Sequence, residues 1–357
     1  MKKKAMIAMS GGVDSSVAAL LAQRAGYECV GVTMKLFANE DVGEDAGRPC
    51  CSLSDAGDAA RAAAALGMPH YVFDFTEAFR REVIDRFCAA YAAGATPNPC
   101  IDCNDYLKFG LLLARARQMG FDKVVTGHYA RIGQEGGRWR LSRAAYREKD
   151  QTYFLYTMTQ GQLAHTLFPL APLTKPQVRA LAAEAGFVNA QKRESQDICF
   201  VRGGGYADFL EGRIDMEEGD FVDAQGHVLG RHKGVARYTI GQRKGLGIAL
   251  GRPVFVAEIR PRENEVVLAG EEAVFRDAIS LSDVNWISVA PPAAPIRAEV
   301  QVRYGAKPQA AEVFAEAGGA RAQVRFDEPV RAPAKGQAAV FYDGDMVLGG
   351  GRIEKYQ

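Results

Sequence analysis

Residues 10–16 have the sequence Ser-Gly-Gly-Val-Asp-Ser-Ser, and their types and spacing could bind a nucleotide phosphate. The preceding residues are apolar enough for a buried strand, and the following residues are typical of a helix that ends at Gly26. Backbone N–H groups at such a helix start converge, and the helix dipole adds partial positive charge there. Gly11 and Gly12 lack a Cβ, so we expect an anion to approach the main chain closely.

The polar side chains of residues 10–16, which we call the phosphate loop, fit the same chemistry. Ser10, Ser15 and Ser16 offer hydroxyl donors, and Asp14 could bind or orient a magnesium ion. This is not a Walker loop, because no Gly-Lys-Ser/Thr follows at the required spacing. An ordinary strand-to-helix turn is the alternative interpretation, but it gives no reason for three hydroxyls and an acid. The sequence therefore predicts a nucleotide-phosphate site.

A Cys-x-x-Cys pair, Cys100 and Cys103, lies in the proline-containing segment 96–104. The prolines predict an irregular loop with restricted conformations. Such a pair can be a redox dithiol, half of a metal site, or a nucleophile with a neighbour. The sequence contains no second Cys-x-x-Cys, which argues against a four-cysteine zinc site. A zinc site that also uses a histidine remains an alternative.

Cys199 lies in the polar segment 193–200, between a predicted helix and the glycine run 203–205. Because this segment joins a helix end to those glycines, we expect it to be mobile or hinge-like. A buried thiol is the alternative interpretation for Cys199 taken alone. Cys29 and Cys88, in an apolar strand and on a helix, are expected to be buried small hydrophobic residues.

The first 200 residues alternate between strand-like and helix-like runs. The predicted strands are residues 4–9, 28–35, 70–75 and 123–126. The predicted helices are residues 15–25, 53–66, 77–91, 106–119 and 175–185, the last with Thr174 as N-cap and Gly186 after its end. This alternation predicts an α/β domain with a doubly wound parallel sheet, whose ligands bind at the carboxyl ends of the strands. The residues at or just after such ends are Met34, Cys100, Cys103, Gly127 and His128.

The chain changes character near residue 203, where short alternating strands replace the helices. Residues 253–260 and 265–269 predict a hairpin. Asp343-Gly344 predicts a tight turn within a small barrel or sandwich whose strands are residues 300–304, 322–326, 338–342 and 346–348. The expected domains are a catalytic domain over 1–203, a small mixed or β central domain over 204–275, and a C-terminal β-barrel over 276–357.

The composition excludes several classes of protein. A length of 357 residues predicts two or three domains, and 48% hydrophobic with 24% charged residues indicates a soluble globular chain. No apolar stretch approaches the roughly 20 residues that a membrane span requires, so we expect a cytoplasmic protein with no membrane partner. The net charge of +1 gives no general attraction to nucleic acid. RNA contacts would therefore need local basic patches, such as residues 231–244 around Tyr238.

Several motifs together resemble one family. The phosphate loop resembles the pyrophosphate loop (PP-loop) of the ATP pyrophosphatases, which cleave ATP to AMP and pyrophosphate. The other motifs are Asn98-Pro99 before Cys103-Asn104, and residues 126–129, 149–151, 198–200, 239–247 and 348–351. In this order and spacing they are similar to the tRNA-specific 2-thiouridylase family over essentially the whole chain. The resemblance implies an adenine nucleotide alpha-hydrolase-like fold for the first domain and tRNA binding by the central domain.

The resemblance implies ATP-dependent 2-thiolation of the wobble uridine, U34, of tRNA. Adenylation of the C2 oxygen would make it part of AMP, with release of pyrophosphate. Cys199 would carry a persulfide sulfur and Cys103 would be the nucleophile that completes the transfer, with Asp14 as a third catalytic residue. A Cys103–Cys199 disulfide is the expected turnover product. ATP, with Mg²⁺, would be bound by Ala8, Met9, Ser10, Gly11, Gly12, Val13, Asp14, Ser15, Met34 and Gly127.

The implied partners are a tRNA with U34 in its anticodon and a sulfur donor, which is a cysteine desulfurase, a relay protein or sulfide. Bases in RNA loops can be splayed out and bound by their edges. The resemblance places Asn98, Pro99 and Cys100 beside the target base. Its other tRNA-contacting positions are His128, Lys149, Asp150, Gln151, Arg303, Tyr304 and Gln337.

One departure from the family pattern is Cys100, where many members carry Asp. Cys100, Cys103 and Cys199 resemble the Cys-x-x-Cys plus distant Cys that holds a [4Fe–4S] cluster in other tRNA-thiolating enzymes, and thiolates are suitable ligands for it. We therefore carry two hypotheses, a cysteine persulfide and a metal cluster that binds the sulfide. No family role is assigned to Cys50 or Cys51.

Two other functions remain as alternatives. A small-molecule ligase of the argininosuccinate or NAD synthetase type shares the pyrophosphate loop, but its amine nucleophile has no need of three cysteines. A non-catalytic RNA-binding protein that has kept the fold would have no need of Asp14, Cys103 and Cys199.

Overall fold

The computed structural model of the chain describes residues 2–37, 53–192, 198–201 and 205–356. The chain divides into two units. The first comprises Met1–Val83, Pro99–Gly203 and Asp345–Val347, and the second comprises Ile84–Asn98, Gly204–Gly344 and Leu348–Gln357. Residues 193–197, which we expected to be hinge-like, and the pair Cys50-Cys51 lie outside the described residues. The three-domain division stays a prediction.

The first two hundred residues contain the strands and helices that the periodicity predicted, with several additions. The strands are β1 (Lys4–Ala8), β2 (Glu28–Lys35), β3 (His70–Asp74), β4 (Lys123–Val125), β5 (Ala130–Glu135), β6 (Arg138–Arg143) and β7 (Thr166–Leu167). The α-helices are α1 (Val13–Arg24), α2 (Leu53–Ala65), α3 (Thr76–Phe79), α4 (Arg86–Ala92), α5 (Pro99–Asp102), α6 (Leu113–Gln118), α7 (Gln160–Ala164) and α8 (Lys175–Glu184). Two π-helical segments, Arg80–Asp85 and Cys103–Leu112, connect α3 to α4 and α5 to α6.

Five strands of the first unit form a sheet in the order β3-β2-β1-β4-β7, and every neighbouring pair is parallel. The chain passes from β1 to β2 and β3, and then returns to place β4 on the other side of β1. The carboxyl ends of β1 and β4 therefore flank the point where the strand order reverses, which is where open α/β sheets bind ligands. The predicted doubly wound α/β fold is confirmed.

The core of the first unit centres on β1 and α1. Ala5 and Ile7 of β1 and Ala18 of α1 are fully buried in one cluster, where their small or compact side chains let the helix lie close to the sheet. The predicted cap of α8 is present as well. The Thr174 backbone N–H donates to the Gln177 side chain at 2.8 Å, which satisfies a donor that the helix start leaves without a partner.

The segment 96–104 is not the irregular loop that its prolines predicted. α5 begins at Pro99, and the helix continues through the π-helical segment Cys103–Leu112 into α6. Proline is favoured in the first turn of a helix, because its missing N–H would have no partner there and its φ is already helical. Cys100 and Cys103 consequently lie three residues apart on one face of a helix.

The second unit contains α9 (Tyr206–Leu210) and two sheets. Its strands are β8 (Gly219–Val222), β9 (Val228–His232), β10 (Phe255–Arg260), β11 (Glu265–Ala269), β12 (Phe275–Asn285), β13 (Ile296–Gln301), β14 (Gln309–Ala315), β15 (Ala322–Arg331), β16 (Ala338–Asp343) and, from Leu348 onward, β17 (Met346–Tyr356). The first sheet has the order β10-β11-β8-β9. Its antiparallel β10–β11 pair is the predicted hairpin.

The remaining strands of the second unit, β12 to β17, close into a barrel. They follow the order β12-β15-β14-β13-β16-β17, and β12 also pairs with β17. Closure leaves no unpaired strand edge. The predicted central domain and C-terminal β-barrel are confirmed as parts of the fold class. Among the described residues, no helix combines the length and the apolar composition that crossing a membrane requires.

Candidate active site

The phosphate loop joins β1 to α1, and its two glycines have different roles. Gly11 has a φ of +76°, and a Cβ placed on it would lie 2.2 Å from the backbone oxygen of Asp55. Other residue types rarely adopt that φ, and the contact is to main chain, so glycine is required there. Gly12 has a φ of −85°, and its Cβ would meet only the Ser10 hydroxyl oxygen, at 3.4 Å. The room that we expected at both glycines therefore exists at Gly12, whereas Gly11 packs against protein.

The serines of the phosphate loop also differ in role. Ser15 Oγ donates to the Gly12 carbonyl at 2.9 Å and accepts the Ser10 backbone N–H at 3.2 Å. Ser16 is fully buried; its Oγ donates to the Gly12 carbonyl at 3.2 Å and accepts from Asn189 Nδ2 at 3.0 Å. Ser16 thus stabilises the loop from behind, and the phosphate-facing role that we expected for it is wrong.

Asp14 is held in a salt bridge. Its carboxylate oxygens accept from Lys175 Nζ at 2.7 and 2.8 Å, and the Tyr129 hydroxyl donates to Oδ1 at 2.9 Å. Lys175 is buried at the first position of α8. The carboxylate is thus engaged by an ammonium and a hydroxyl group, and its magnesium role stays a prediction. Sequence reasoning missed Lys175, since the capping pattern that predicts its helix says nothing about a partner 161 residues away.

A second group of residues holds the back of the phosphate loop. The Asn189 side-chain amide donates to the Gly11 carbonyl at 3.0 Å. Lys192 Nζ forms an ion pair with Asp55 and another, at 2.5 Å, with Asp58. These residues were also missed, because each is an ordinary polar residue in the sequence and acquires its role only through its position in the fold.

Gly127, which follows β4, brings this strand end against the start of α1. A Cβ on Gly127 would lie 2.8 Å from Asp14 C and from Ser15 N. A cavity of about 360 Å³ lies here, a size typical of small-molecule sites. The predicted nucleotide-binding residues that line it are Ala8, Met9, Ser10, Asp14, Ser15, Met34 and Gly127. The predicted tRNA-contacting and catalytic residues that line it are Pro99, Cys100, Cys103, His128, Gln151 and Cys199.

The structure brings the three predicted cysteines, Cys100, Cys103 and Cys199, to this one cavity as thiols. Cys100 is exposed, and the other two are partly accessible. Although part of the Cys103 side chain is accessible, burial raises the pKa of its thiol, and the neighbouring Asp102 raises it further, whereas the Lys108 charge opposes them. Lys108 also lines the cavity and was missed by sequence reasoning.

The three thiols do not form a metal-ligand set. Across residues 2–37, 53–192, 198–201 and 205–356, no group of three or more His, Cys, Asp or Glu side chains lies close enough together to hold a metal ion. A [4Fe–4S] cluster needs its cysteine ligands to converge on it. The described residues therefore give no support to the cluster hypothesis for Cys100, Cys103 and Cys199, nor to the zinc alternative.

His128 lines the cavity but is almost entirely buried, with 7% of its surface exposed. Its Nδ1 forms a 2.6 Å hydrogen bond with Thr126 Oγ1, and its ring packs against Phe109 and Phe168. Burial, assisted by the Lys108 charge, lowers the pKa of His128 well below its usual value of 6.5. The imidazole is therefore neutral at neutral pH. Its contact with tRNA stays a prediction.

Residues 149–151 end one 3₁₀-helix, Arg147–Lys149, and connect it to the next, Thr152–Phe154; Gln151 lines the cavity. Gln151 Oε1 accepts the Tyr129 backbone N–H at 3.0 Å. Asp150 accepts from the Thr152 hydroxyl at 2.5 Å; burial raises the pKa of its carboxyl, although this and other hydrogen bonds oppose the shift. The side chains of Asp150 and Gln151 thus stabilise this connection. Contacts of Lys149, Asp150 and Gln151 with tRNA stay predictions.

Four predicted tRNA-contacting residues belong to the second unit. Tyr304 is 45% exposed, and Arg303 and Asn98 are half-buried. Gln337 is 8% exposed, and its amide donates to the Thr96 carbonyl at 2.8 Å. Gln337 is thus engaged within the unit, whereas Tyr304 is partly exposed. Their contacts with tRNA stay predictions.

Residues 231–244 keep part of the basic patch that we expected, since Arg231, Lys233, Arg243 and Lys244 are exposed. His232 and Tyr238 are buried, with ring centroids 5.6 Å apart. Arg231 and Arg237 each form an ion pair with a carboxylate of the same unit. Tyr238 is therefore not available to stack on a base, and two of the positive charges are already compensated.

Three family models match the chain in succession. Residues 3–203 match the tRNA methyl transferase HUP domain, and residues 207–270 match the tRNA methyl transferase PRC-barrel domain. Residues 276–353 match the Aminomethyltransferase beta-barrel domain.

Full-length relatives decide the family. The tRNA-specific 2-thiouridylase of Clostridioides difficile is 48% identical over 99% of both chains. This chain belongs to the tRNA-specific 2-thiouridylase family. The relative from Moorella thermoacetica is 48% identical over 98% of this chain and 99% of its own, and that from Carboxydothermus hydrogenoformans is 49% identical over 99% and 98%. The family predicted from the sequence motifs is confirmed.

Solved structures resemble this 2-thiouridylase-family chain more distantly. A 4-thiouridine synthetase in complex with RNA and bound ATP is 20% identical, with a TM-score of 0.36, over 55% of this chain and 44% of that chain. An NMN synthetase from Francisella tularensis is 21% identical, with a TM-score of 0.34, over 54% of this chain and 67% of that chain. Both are too distant to assign a ligand.

Proposed function

We propose that this protein is a tRNA-uridine 2-sulfurtransferase that replaces the C2 oxygen of the wobble uridine, U34, with sulfur, using ATP. The observation that carries the proposal is a single cavity lined both by the phosphate loop and by Cys103 and Cys199. One site can therefore activate the C2 oxygen of the uridine with a nucleotide and deliver sulfur to C2. Membership of the 2-thiouridylase family supplies the substrate class.

ATP is proposed to bind at the carboxyl ends of β1 and β4, with its phosphates at the start of α1. Ser10 and Ser15 line the cavity there, and the helix start favours negative charge. Magnesium would enter bound to the ATP phosphates, since this ion is held largely by substrate phosphates and water. The C2 oxygen of U34 attacks the α-phosphorus, the bond from that phosphorus to the β-phosphate oxygen breaks, and pyrophosphate leaves.

Sulfur then replaces the activated oxygen. The terminal sulfur of a persulfide on Cys199 loses its proton and bonds to C2, AMP departs with the oxygen, and the base is linked to Cys199 through a disulfide bond. The Cys103 thiolate attacks the Cys199 sulfur, which releases 2-thiouridine and leaves a Cys103–Cys199 disulfide. A dithiol reductant restores both thiols, and a donor of the persulfide class reloads Cys199.

The target base is proposed to enter the cavity beside Pro99 and Cys100, where it meets both reactive thiols. Gln151 and His128 form part of the same wall. The remaining predicted contacts would hold the tRNA outside the cavity: Asn98, Lys149, Asp150, Arg303, Tyr304 and Gln337. The proposed setting is the cytoplasm, where tRNA and a persulfide donor are both available.

A small-molecule ligase explains the same cavity less well. Its amine nucleophile would use the phosphate loop, but it would leave Cys103 and Cys199 without a function beside the nucleotide. Reactive thiols lie in partly accessible, charged surroundings, and Cys103 shares its cavity with Lys108. Sulfur transfer to an activated oxygen uses both the phosphate loop and the two cysteines.

The decisive experiment is an anaerobic thiolation assay with the full-length protein. Unmodified tRNA bearing U34, ATP, magnesium and a persulfide donor are supplied, and mass spectrometry of the nucleosides distinguishes a thiolated from a methylated uridine. We expect one AMP for each 2-thiouridine. Cys103→Ser and Cys199→Ser should each lower product formation by about 100-fold or more, because each removes a group that acts in the covalent steps.

Cys100→Ser is the matched control, since Cys100 lies three residues before Cys103 on the same helix and lines the same cavity. The persulfide mechanism predicts a loss well below that of Cys103→Ser. An equal loss in all three serine variants would return the metal-cluster hypothesis. Absence of 2-thiouridine with the unaltered protein, or full activity of Cys103→Ser, would contradict the proposed function.

A further inference from the structure

Lys108 is the single Lys or Arg among the described residues that line the cavity, and the chemistry above does not use it. It lies five residues after Cys103, within the π-helical segment Cys103–Leu112. In an α-helix, residues five apart point about 140° away from each other. A π-helix is wound more widely, with hydrogen bonds between residues five apart, and brings such residues toward one face. The π-helical winding thus accounts for the presence of both side chains at one cavity.

Among the residues that the structure describes, the other titratable groups that line the cavity or act on the Cys103 thiol supply no positive charge. His128 is neutral, because burial lowers its pKa well below 6.5. Asp14 is an acid whose carboxylate is engaged by Lys175. Asp102, the preceding residue in the chain, disfavours a second negative charge nearby. Two further thiols complete the set, Cys100 and Cys199.

We propose that Lys108 is a positioning residue for sulfur transfer, whose ammonium group stabilises the negatively charged sulfur of Cys103. The proposal rests on the role proposed above for Cys103. The thiolate, not the thiol, is the nucleophile, and burial removes the water that would otherwise stabilise its charge. Lys108 supplies that stabilisation from the same helix, at the residue that the π-helical winding brings to the cavity.

The same geometry distinguishes Cys103 from Cys100. Cys100 is exposed and lies eight residues before Lys108, whereas Cys103 is partly accessible and lies five residues before it. Cys103 is packed closely enough that burial disfavours its thiolate and the Lys108 charge opposes that effect. Loss of Lys108 should therefore reduce the reactivity of Cys103 selectively.

The test measures how fast iodoacetamide alkylates each cysteine of the full-length protein, without tRNA or ATP. Rates are taken by peptide mass spectrometry between about pH 6 and pH 10, which spans the usual thiol pKa. The variants are Lys108→Met, Lys108→Gln and Lys108→Arg. Arg117→Met is the matched control, because Arg117 is exposed on the adjoining α6 and its loss also removes one positive charge. Lys108→Gln replaces Lys108→Met if the latter does not fold.

We expect Lys108→Met to slow alkylation of Cys103 by about tenfold near neutral pH and to move its pH profile upward, as loss of a nearby opposite charge does. Lys108→Arg and Arg117→Met should keep the original profile, and Cys100 should react at an unchanged rate in every variant. In the thiolation assay, Lys108→Met should lower kcat more than it raises the KM for tRNA, and higher pH should restore part of the rate.

An unchanged Cys103 profile in Lys108→Met overturns the proposal. So does an equal slowing of Cys100 and Cys103, or the same shift in Arg117→Met, because either result indicates a general effect on the helix. The alkylation assay does not depend on thiolation. If the protein fails to thiolate tRNA but shows the selective shift of Cys103, the proposed function is contradicted. The inference that Lys108 stabilises the Cys103 thiolate would still be supported.

Discussion

The phosphate loop and the helix that carries Cys100 and Cys103 line the same cavity but are stabilised in different ways. The loop is held by long-range contacts, such as the Asn189 amide on the Gly11 carbonyl, 178 residues away in sequence. The helix is defined locally, by Pro99 at its start and by its π-helical winding. The phosphate side of the site therefore depends on long-range packing and polar contacts, whereas the sulfur side depends on local helical register.

The largest effect that would test this contrast is expected at Gly11. Gly11→Ala should lower the free energy of unfolding by about 3 kcal/mol or more and 2-thiouridine formation by about 100-fold or more, since it adds a main-chain clash to a strained φ. Urea denaturation followed by circular dichroism measures the first quantity, and nucleoside mass spectrometry the second.

Gly12→Ala is the control for this prediction. Its Cβ meets only the Ser10 hydroxyl oxygen, at 3.4 Å, so the loss of stability should stay under about 1 kcal/mol. Because Gly12 is the loop glycine with room beside it, Gly12→Ala should still weaken ATP binding. Equal stabilities of the two alanine variants would show that packing does not determine the phosphate side.

A smaller effect is expected from the salt bridge between Asp14 and Lys175. The Lys175 side chain is 9% exposed and that of Asp14 is 29% exposed, so removing one partner leaves a largely buried charge without its counter-ion. Asp14→Asn and Lys175→Met should each lower the free energy of unfolding by about 2–3 kcal/mol. A double-mutant cycle should give a coupling energy of about 2 kcal/mol, and a coupling near zero would contradict the assignment.

The same variants separate nucleotide from RNA binding. Asp14→Asn or Asp14→Ala should abolish tRNA-dependent pyrophosphate release and leave tRNA affinity, measured by filter binding, nearly intact. An equal loss of tRNA affinity would show that the phosphate loop and the RNA-binding surface are not separate.

The smallest effect is a pH dependence centred on His128, which lies between the two sides. Its pKa in the folded protein is well below 6.5, so between the two values the unfolded chain binds more protons. Stability is therefore fully present above about pH 6.5 and is lost as the pH falls, by up to about 1.4 kcal/mol per pH unit. His128→Gln should flatten this part of the stability curve. An unchanged slope would assign the effect to other histidines, such as the partly buried His70 and the buried His232, whose pKa values burial also lowers.

Much of the fold could be predicted because its signals are local. The predicted strands 4–9, 28–35, 70–75 and 123–126 agree with β1 to β4 to within one residue at each end. Alternation of apolar runs with helical periodicity reports which residues are buried, and that is sufficient to predict a parallel α/β sheet. The turn glycines and the Thr174 cap were predictable for the same reason.

The features that the sequence did not predict correctly also have physical explanations. The prolines of segment 96–104 predict an irregular loop, but the structure uses Pro99 where a helix tolerates proline best. The π-helical winding after Cys103 has no sequence pattern of its own, so Lys108 looked like an ordinary surface residue. The ion pairs of Arg231 and Arg237 were missed because their partners, Asp220 and Glu211, lie outside the segment 231–244.

Residue types and their spacing were sufficient to predict a glycine-rich loop before a helix, two cysteines for sulfur transfer and the family to which they belong. The fold brings the interacting groups together. The strand order β3-β2-β1-β4-β7 is accompanied by the packing of α8 beside α1, which gives Asp14 its Lys175 and the loop its Asn189. Residue types and periodicity are local properties of a chain. Partnerships across more than 150 residues depend on topology, which local patterns do not encode.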